Sequence, residues 1–307
     1  MKYVVSSILL SFLIFSCSST SEETVKLKTA KDKISYSLGA DHARAISESN
    51  DPNFKKYNVN QIIKGFNDGV INDKTFDKKC QNTLMQMYKG GSFNEKMNDE
   101  GSLCIGKLSG AIFHSSWKKN KGLSKLDIQM VKHGFAASLL KKDTILDKTT
   151  QATLVQNFMF DMYKLNGEKL IENAKKIKGA YISPLGFVIQ TLKEGKGTSP
   201  AKGDDVLAHY ILMNANGDTI QNSHDFSDAN GGKMSPFSLG SVIAGWQEGI
   251  PLMKKGGSYK LFLPYHLAYG EQGMFNQQRN TYDISPFQSL VFEIQLLDHG
   301  KPGKLPK

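Results

Sequence analysis

Three apolar segments near the C-terminus carry residue types that are typical of a lined binding pocket. Residues 242–246 end in a glycine and Trp246, residues 267–270 contain Tyr269, and residues 290–293 contain Phe292. A glycine immediately before Trp246 permits a tight helix start that presents the indole as the floor of a concavity. Such a pocket would bind an apolar group and exclude water, and its chemistry would need no acid, base or nucleophile.

Other catalytic chemistries find little support in the same part of the chain. His209, His224 and His266 are scattered, without the spacing of metal ligands. The sequence has neither a glycine-rich phosphate loop nor a Gly-x-Ser-x-Gly elbow. We therefore expect no cofactor and no metal, and we interpret these histidines as hydrogen-bonded or exposed side chains.

The elements that would position the pocket alternate with period two. One-sided strands are predicted at residues 258–263 and 290–296, where large apolar side chains occupy every second position. Residues 214–218 (Asn-Ala-Asn-Gly-Asp) are a hairpin-turn signal. A short helix fits between residues 245 and 253. The prediction is a curved antiparallel sheet wrapped over one short helix.

The preceding part of the chain, residues 31–179, has a helical pattern, which makes the fold class α+β. Its apolar stripes are Ile62, Ile63, Phe66 and Val70, then Ile128, Val131, Phe135 and Leu139, then Leu154, Phe158, Met162 and Leu165. We call residues 31–179 the helical region.

An internal repeat runs through the helical region. Segments 37–40, 64–66 and 87–89 match segments 108–111, 133–135 and 162–164, with an offset that drifts from about 70 to 75 residues. The comparison aligns Gly39 with Gly110 and predicts two repeats, about 31–95 and 101–179. Short amphipathic helices cannot bury their stripes alone, so the copies should pack on each other or on a second chain.

The N-terminus resembles an export signal followed by a lipid-attachment site. The apolar run from Tyr3 to Phe15 is too short to span a bilayer, which predicts a signal peptide at residues 1–16. Ser16 and Cys17 end it as in a bacterial lipobox, where the cysteine is acylated, although Phe15 is bulkier than usual. A plain signal peptide with an incidental cysteine is the alternative. Residues 17–30 are polar and predict a flexible tether.

Two further cysteines, Cys80 and Cys104, fit no metal spacing. An exported protein permits a disulfide between them but does not require one, so two separately buried thiols are the alternative.

The net charge of +10 lies in the N-terminal part, because residues 180–307 carry 11 basic and 11 acidic side chains. In the helical region lysines are interspersed with acids and few aromatic residues, which favours a solvated helical surface over an anionic-lipid or nucleic-acid surface. We expect no nucleic-acid partner.

The spacing of segments 242–246, 267–270 and 290–293 resembles the FKBP-type peptidyl-prolyl isomerases over roughly the last 115 residues. Segments 31–39 and 59–66 resemble the dimerisation domain of macrophage infectivity potentiator proteins, and segments 167–173 and 183–186 resemble the end of their long connecting helix and the start of their isomerase domain. Those relatives generally carry one N-terminal module, whereas this chain has two copies. The resemblance implies an isomerase domain at residues 180–300, hereafter the C-terminal domain, and a tail at 301–307.

The same resemblance implies roles for individual residues. Trp246 would carry the proline ring, with Tyr210 and Phe292 as walls. The Ile243 backbone N–H and the Tyr269 hydroxyl would bind substrate carbonyls. Further contacts would come from Val242, Ile220, Gln221, Phe237 and Ile284, with Phe237 alternatively a core residue.

This chain departs from the family at residues 220–223, where Ile-Gln-Asn-Ser stands in place of the usual Phe-Asp-Ser-Ser. Gln221 lacks the rim carboxylate, Ile220 removes an aromatic wall, and Asp225 would compensate only if its loop folds back. We expect weakened catalysis. The long loop at residues 271–283 is rich in Gln and Asn and predicts a mobile polar flap.

The expected function is isomerisation of X-Pro bonds in exported proteins, with proline-containing unfolded or nascent chains as partners. The alternative is a holdase chaperone or assembly factor with little turnover, and a purely structural role is third. The resemblance also implies ligands of the tacrolimus and rapamycin type and a homodimer through the helical region. The lipobox-like end of the apolar run predicts a lipid anchor at Cys17 in the bacterial cell envelope, on the outer membrane with the protein in the periplasm or at the surface.

Overall fold

The computed structural model of the chain describes residues 25–49, 51–89, 93–143, 145–225 and 235–305. The predicted signal peptide, Cys17 and the first part of the predicted tether lie outside the described residues.

Among the described residues, six α-helices build the helical region. They are α1 (Ala30–Ser47), α2 (Val59–Gly69), α3 (Lys78–Met87), α4 (Asn98–Lys119), α5 (Ile128–Leu139) and α6 (Lys148–Lys175). Five of them begin after a polar residue whose side chain accepts hydrogen bonds from backbone N–H groups of the first turn: Thr29, Asn58, Asp77, Asp127 and Asp147. These caps satisfy donors that a helix start leaves unpaired. None of the described helices is both long and apolar enough to cross a membrane.

The helices pair across the two halves of the helical region, α1 with α5 and α2 with α4. Glycines allow this close contact: a Cβ atom on Gly39 would lie 2.0 Å from the Val131 carbonyl oxygen, and one on Gly106 would lie 2.1 Å from the Ile62 carbonyl oxygen. The first half therefore buries its stripes against the second half of the same chain.

These contacts correct the register that the sequence comparison used. Gly39 of α1 approaches the Val131 carbonyl of α5, and Gly106 of α4 makes the same kind of contact with the Ile62 carbonyl of α2. The structural counterpart of Gly39 is therefore Gly106. The sequence comparison had aligned Gly39 with Gly110, which lies one helical turn later. The error has a simple cause, since α4 has a glycine at both positions and both approach α2 closely.

A disulfide joins Cys80 of α3 to Cys104 of α4, with Cα atoms 5.2 Å apart. Of the two alternatives that the sequence left open, pairing is thus the one observed. The bond ties α3 to a helix that also pairs with α2.

The C-terminal domain is an antiparallel sheet with the strand order β1-β2-β6-β9-β3-β4, and β5 pairs with β3. The strands are β1 (Tyr181–Ile182), β2 (Val188–Lys193), β3 (Asp205–Asn214), β4 (Thr219–Asn222), β5 (Phe237–Ser238), β6 (Ser258–Leu263) and β9 (Leu290–Gly300). Helix α7 (Ala244–Gly249) and a following 3-10 turn (Ile250–Leu252) pack on one face of the sheet. The predicted α+β fold is confirmed.

The opposite face of this sheet is also covered, which the prediction of one-sided strands missed. Val188, Phe262 and Val291 point away from α7 and pack against Ile171 and Ala174 near the end of α6. Strand alternation shows which side chains face the core, but it does not show that a distant helix covers the other face.

Residues 271–283 contain most of a two-stranded hairpin, β7 (Met274–Asn276) and β8 (Thr281–Ile284). The side chains of Met274, Phe275 and Tyr282 are exposed there, and the Phe275 and Tyr282 rings lie 5.0 Å apart. The flap is therefore more structured and less polar than predicted.

Candidate functional site

A cavity of about 290 Å³ opens between α7 and the strands β3, β4, β5 and β9. We call it the cup. Its lining residues are Tyr210, Leu212, Gln221, Phe237, Ser241, Val242, Ile243, Trp246, Tyr269 and Phe292. None of these side chains carries a formal charge, so the cup is a neutral, mainly apolar site.

Trp246 lies at the centre of the aromatic groups and is 4% exposed. Its ring meets those of Phe292, Tyr210 and Phe237 edge to face, with centroids 5.3, 5.4 and 5.7 Å away. The preceding Gly245 lets α7 approach the sheet, because a Cβ there would lie 2.5 Å from Leu263 side-chain atoms. Among the described residues, the buried indole N–H of Trp246 has no hydrogen-bond acceptor.

Tyr210 and Gln221 form the polar edge of the cup. The Tyr210 hydroxyl donates a hydrogen bond to Gln221 Oε1 over 2.8 Å. The register of β3 and β4 brings them together, since Leu212 pairs with Gln221. Gln221 thus places an uncharged hydrogen-bond acceptor at the edge of the cup.

The two tyrosine hydroxyls of the cup stay protonated at neutral pH. Burial raises the pKa of Tyr269 above its ordinary value. Burial, and secondarily the charge that Tyr269 would carry, raise the pKa of Tyr210. Each hydroxyl therefore remains a hydrogen-bond donor under physiological conditions.

The structure brings eight of the ten predicted pocket residues together in the cup, Phe237 among them. Ile220 and Ile284 instead line a neighbouring cavity of about 370 Å³ beside the β7–β8 hairpin. The exposed Asp225 does not line the cup, so it supplies no substitute carboxylate there.

Sequence reasoning missed two lining residues, Leu212 and Ser241. The first had a usable signal, because Leu212 is two positions after Tyr210 on one strand and so shares its face. Ser241 carried no comparable pattern.

The comparisons with known proteins agree with this geometry. The sequence model of the FKBP-type peptidyl-prolyl cis-trans isomerases matches residues 196–297, and that of the domain amino terminal to these isomerases matches residues 31–103. FkpA of Escherichia coli K12, named an FKBP-type peptidyl-prolyl cis-trans isomerase, is 30% identical over 215 residues, which cover 66% of this chain and 75% of the relative. The chain belongs to the FKBP-type peptidyl-prolyl cis-trans isomerase family.

Other relatives of this FKBP-type isomerase match similar stretches. The peptidyl-prolyl cis-trans isomerase Mip of Coxiella burnetii is 28% identical over 214 residues, covering 65% of this chain and 85% of the relative. The crystal structure of FkpA from Escherichia coli matches 66% of this chain and 96% of its own, with 28% identity and a TM-score of 0.41. The match to the family model and to FkpA of Escherichia coli K12 confirms the predicted family and enzyme type.

Proposed function

We propose that the cup catalyses rotation about X-Pro bonds of polypeptides by holding the proline ring on Trp246. The observation that carries this assignment is a cavity of about 290 Å³ that is lined by five aromatic side chains and no charged side chain. Pockets of this composition bind apolar groups and fix them through a few polar contacts.

Bond rotation needs little more than this environment. The barrier of about 18–20 kcal/mol comes from amide resonance, which is lost in the twisted transition state. The twisted amide is less polar than the planar one, so a dehydrated apolar site favours it over the ground state. The cup can lower the barrier without a nucleophile or a proton transfer.

The polar groups of the cup would orient the substrate. The Ile243 backbone N–H, at the N-terminus of α7, and the protonated Tyr269 hydroxyl would donate hydrogen bonds to substrate carbonyls. Tyr210 and Phe292 would wall the ring. Gln221 holds the Tyr210 hydroxyl but offers the substrate no charge, which supports a reduced rate.

A proline-limited refolding assay tests the assignment. Trp246→Ala and Tyr269→Ala should each lower kcat/KM about tenfold or more, equivalent to about 1.4 kcal/mol of transition-state stabilisation or more. The control Leu192→Ala removes an exposed side chain on β2, a strand that contributes no residue to the cup lining, and should match wild type. Wild-type protein that accelerates no refolding would contradict the proposal.

Holdase activity is the second candidate, and the β7–β8 hairpin favours it. Its exposed Met274, Phe275 and Tyr282 offer unfolded chains an apolar surface beside the cup. Suppression of aggregation of a proline-free unfolded protein, without catalysis on proline peptides, would identify this function instead.

We further propose that the protein acts on proline-containing exported chains from a lipid anchor at Cys17, in the bacterial envelope and on the outer membrane. The Cys80–Cys104 disulfide supports an oxidising compartment. Wild-type protein should incorporate labelled fatty acid and be recovered in the membrane fraction, and Cys17→Ala should do neither. Tacrolimus-type and rapamycin-type ligands would compete with proline-containing substrates for the cup.

The helical region is proposed to be a duplicated module that closes within one chain. The pairing of α1 with α5 and of α2 with α4 supports this, because each half covers the other. A homodimer through the helical region, which the resemblance implied, would then need surfaces other than these faces.

A further inference from the structure

Phe287 has an unusual backbone conformation for a large side chain. Its φ is +61°, in the left-handed region that aromatic residues rarely adopt. Such conformations persist where the surrounding contacts determine them, and they cluster at functional sites. The contacts of the Phe287 ring and backbone therefore show which parts of the protein keep this residue in its unusual conformation.

Among the described residues, aromatic and cation–π contacts join the Phe287 ring to three side chains. The rings of Phe160 and Tyr265 lie 5.4 and 5.5 Å away, centroid to centroid, and Lys164 Nζ lies 4.0 Å from the ring centroid. Aromatic and cation–π contacts at these distances are attractive. Phe160 and Lys164 both belong to α6, so the helical region supplies two of the three contacts.

The backbone of Phe287 is bonded to the turn that carries Tyr269. The Phe287 N–H donates to the Gly270 carbonyl over 3.0 Å, and the Gly270 N–H donates to the Tyr265 carbonyl over 2.9 Å. Gly270 directly follows Tyr269. Phe287 thus contacts this turn twice, by its ring at Tyr265 and by its backbone at Gly270.

Helix α6 has little room to shift against this segment. A Cβ atom on Gly167 would lie 2.2 Å from Ser289 Oγ, and Ser285 Oγ donates to the Tyr163 hydroxyl over 3.5 Å. Farther along α6, Ile171 packs on the sheet face that carries Phe262. Contacts along this stretch of the helix fix its position relative to Phe287.

We propose that Phe287 is a positioning residue for the isomerase. Helix α6 fixes the Phe287 ring through Phe160 and Lys164, and Phe287 in turn fixes the backbone that places the Tyr269 hydroxyl at the cup. The helical region then sets the geometry of the C-terminal domain's site as well as supporting it. This inference rests on the substrate-binding role proposed above for Tyr269.

The test uses the full chain and changes only α6, which contributes no residue to the cup. Phe160→Leu combined with Lys164→Ala, the α6 variant, should lower kcat/KM on an X-Pro peptide by about threefold to tenfold, since small displacements of a binding group are costly. Lys164→Arg keeps a cation over the ring and should retain wild-type activity. Lys169→Ala, an exposed lysine on the same helix, is the matched control.

A double-mutant cycle with Tyr269→Phe separates positioning from a general loss of structure. If Phe287 acts through the Tyr269 hydroxyl, the α6 variant should change kcat/KM by less than about twofold in the Tyr269→Phe background. An equal loss in both backgrounds, or no loss in either, would overturn the inference.

Two further outcomes distinguish this inference from the proposed function. If the kcat/KM of Tyr269→Phe equals that of wild type, the substrate-binding role proposed for Tyr269 fails. If the α6 variant nevertheless has a lower kcat/KM, Phe287 does not act through the Tyr269 hydroxyl, and the inference is overturned. If wild type catalyses no isomerisation, the proposed function fails. The affinity of each variant for an X-Pro peptide, measured by calorimetry, then replaces kcat/KM in the same cycle. A smaller effect of the α6 variant in the Tyr269→Phe background would support the positioning role, and equal effects in both backgrounds would overturn it.

Discussion

Phe66 of α2 and Phe135 of α5 stack face to face, with ring centroids 3.6 Å apart and planes within 5° of parallel. Each lies at the matching position of its half, in the two segments that the sequence repeat aligns. Both are fully buried. The contact therefore joins the two halves of the helical region at their centre, within a single chain.

Removing either ring should destabilise the protein by about 3–5 kcal/mol, the usual cost of a Phe→Ala change in a core. Phe66→Ala and Phe135→Ala should each lower the urea midpoint of the helical transition. The control Ile71→Ala, at a side chain 58% exposed, should change it little. Similar stability of Phe66→Ala and wild type would contradict a central role for the stack.

The same pairing predicts that the unlipidated protein is a monomer. Light scattering on Cys17→Ala protein should give the mass of one chain at all concentrations measured, because the pairing faces are already filled. A stable dimer would show that a different surface associates, and a dimer that dissociates in Phe66→Ala would show that the halves pair between chains.

Reduction of the Cys80–Cys104 disulfide should destabilise the helical region and leave the cup intact. Closing a loop of 24 residues stabilises a fold by about 3 kcal/mol in the chain-entropy account. The paired variant Cys80→Ala with Cys104→Ala should show the same loss without reductant. Isomerase activity at 25 °C should be unchanged, and a parallel loss of activity would mean that the disulfide also supports the C-terminal domain.

The sequence was sufficient to predict the centre of the cup because its determinants are local. Trp246 follows a glycine at a helix start, and Phe292 alternates with its neighbours along one strand, so each side chain's direction follows from short-range rules. The substrate contact predicted for the Tyr269 hydroxyl came from the family resemblance, as did the roles predicted for Trp246 and Phe292.

Other features depended on contacts between distant segments, which no local pattern encodes. The register of Gly39 against Val131 depends on which glycine of a helix approaches a carbonyl group of the facing helix. Several helical glycines make such a contact, so the sequence alone does not show which of them correspond. Burial of Phe262 depends on a helix that ends about 90 residues earlier in the chain. The conformation of Phe287 has no sequence signal, because a phenylalanine gives no indication of a positive φ.

We expect His42 to make the stability of the helical region sensitive to acid. Its half-buried ring lies among Phe66, Phe113 and Phe135, and Nε2 lies 2.9 Å from Ser109 Oγ. Burial lowers the pKa of His42, and this effect outweighs the hydrogen bond to Ser109 and the nearby charge of Asp41.

The unfolded chain binds a proton at His42 below about pH 6.5, whereas the folded chain binds it only at lower pH. Stability should therefore fall as the pH drops from about 6.5 towards the folded pKa, by at most about 1.4 kcal/mol per pH unit. Urea midpoints between pH 7 and 5 measure this slope. His42→Leu should flatten it, and the exposed His133→Leu should not; equal slopes in wild type and His42→Leu would rule out His42 as the source.

The hydrogen bond from Tyr210 to Gln221 suggests a direct way to raise the activity. Gln221→Asp introduces the carboxylate that the family usually has, and a charged acceptor in a partly dehydrated site interacts more strongly than an amide. We expect kcat/KM on X-Pro peptides to rise about threefold to tenfold, equivalent to about 0.7–1.4 kcal/mol.

Two further variants separate the charge from the hydrogen bond. Gln221→Glu tests whether a charge is sufficient at the length of the present side chain. Gln221→Leu removes the acceptor for the Tyr210 hydroxyl and should lower the rate. If Gln221→Asp is no faster than wild type while Gln221→Leu is slower, the hydrogen bond to Tyr210 matters and the missing charge does not. The weaker catalysis expected from the sequence would then be tested at Ile220, which stands where the family usually has phenylalanine and lines the cavity beside the cup.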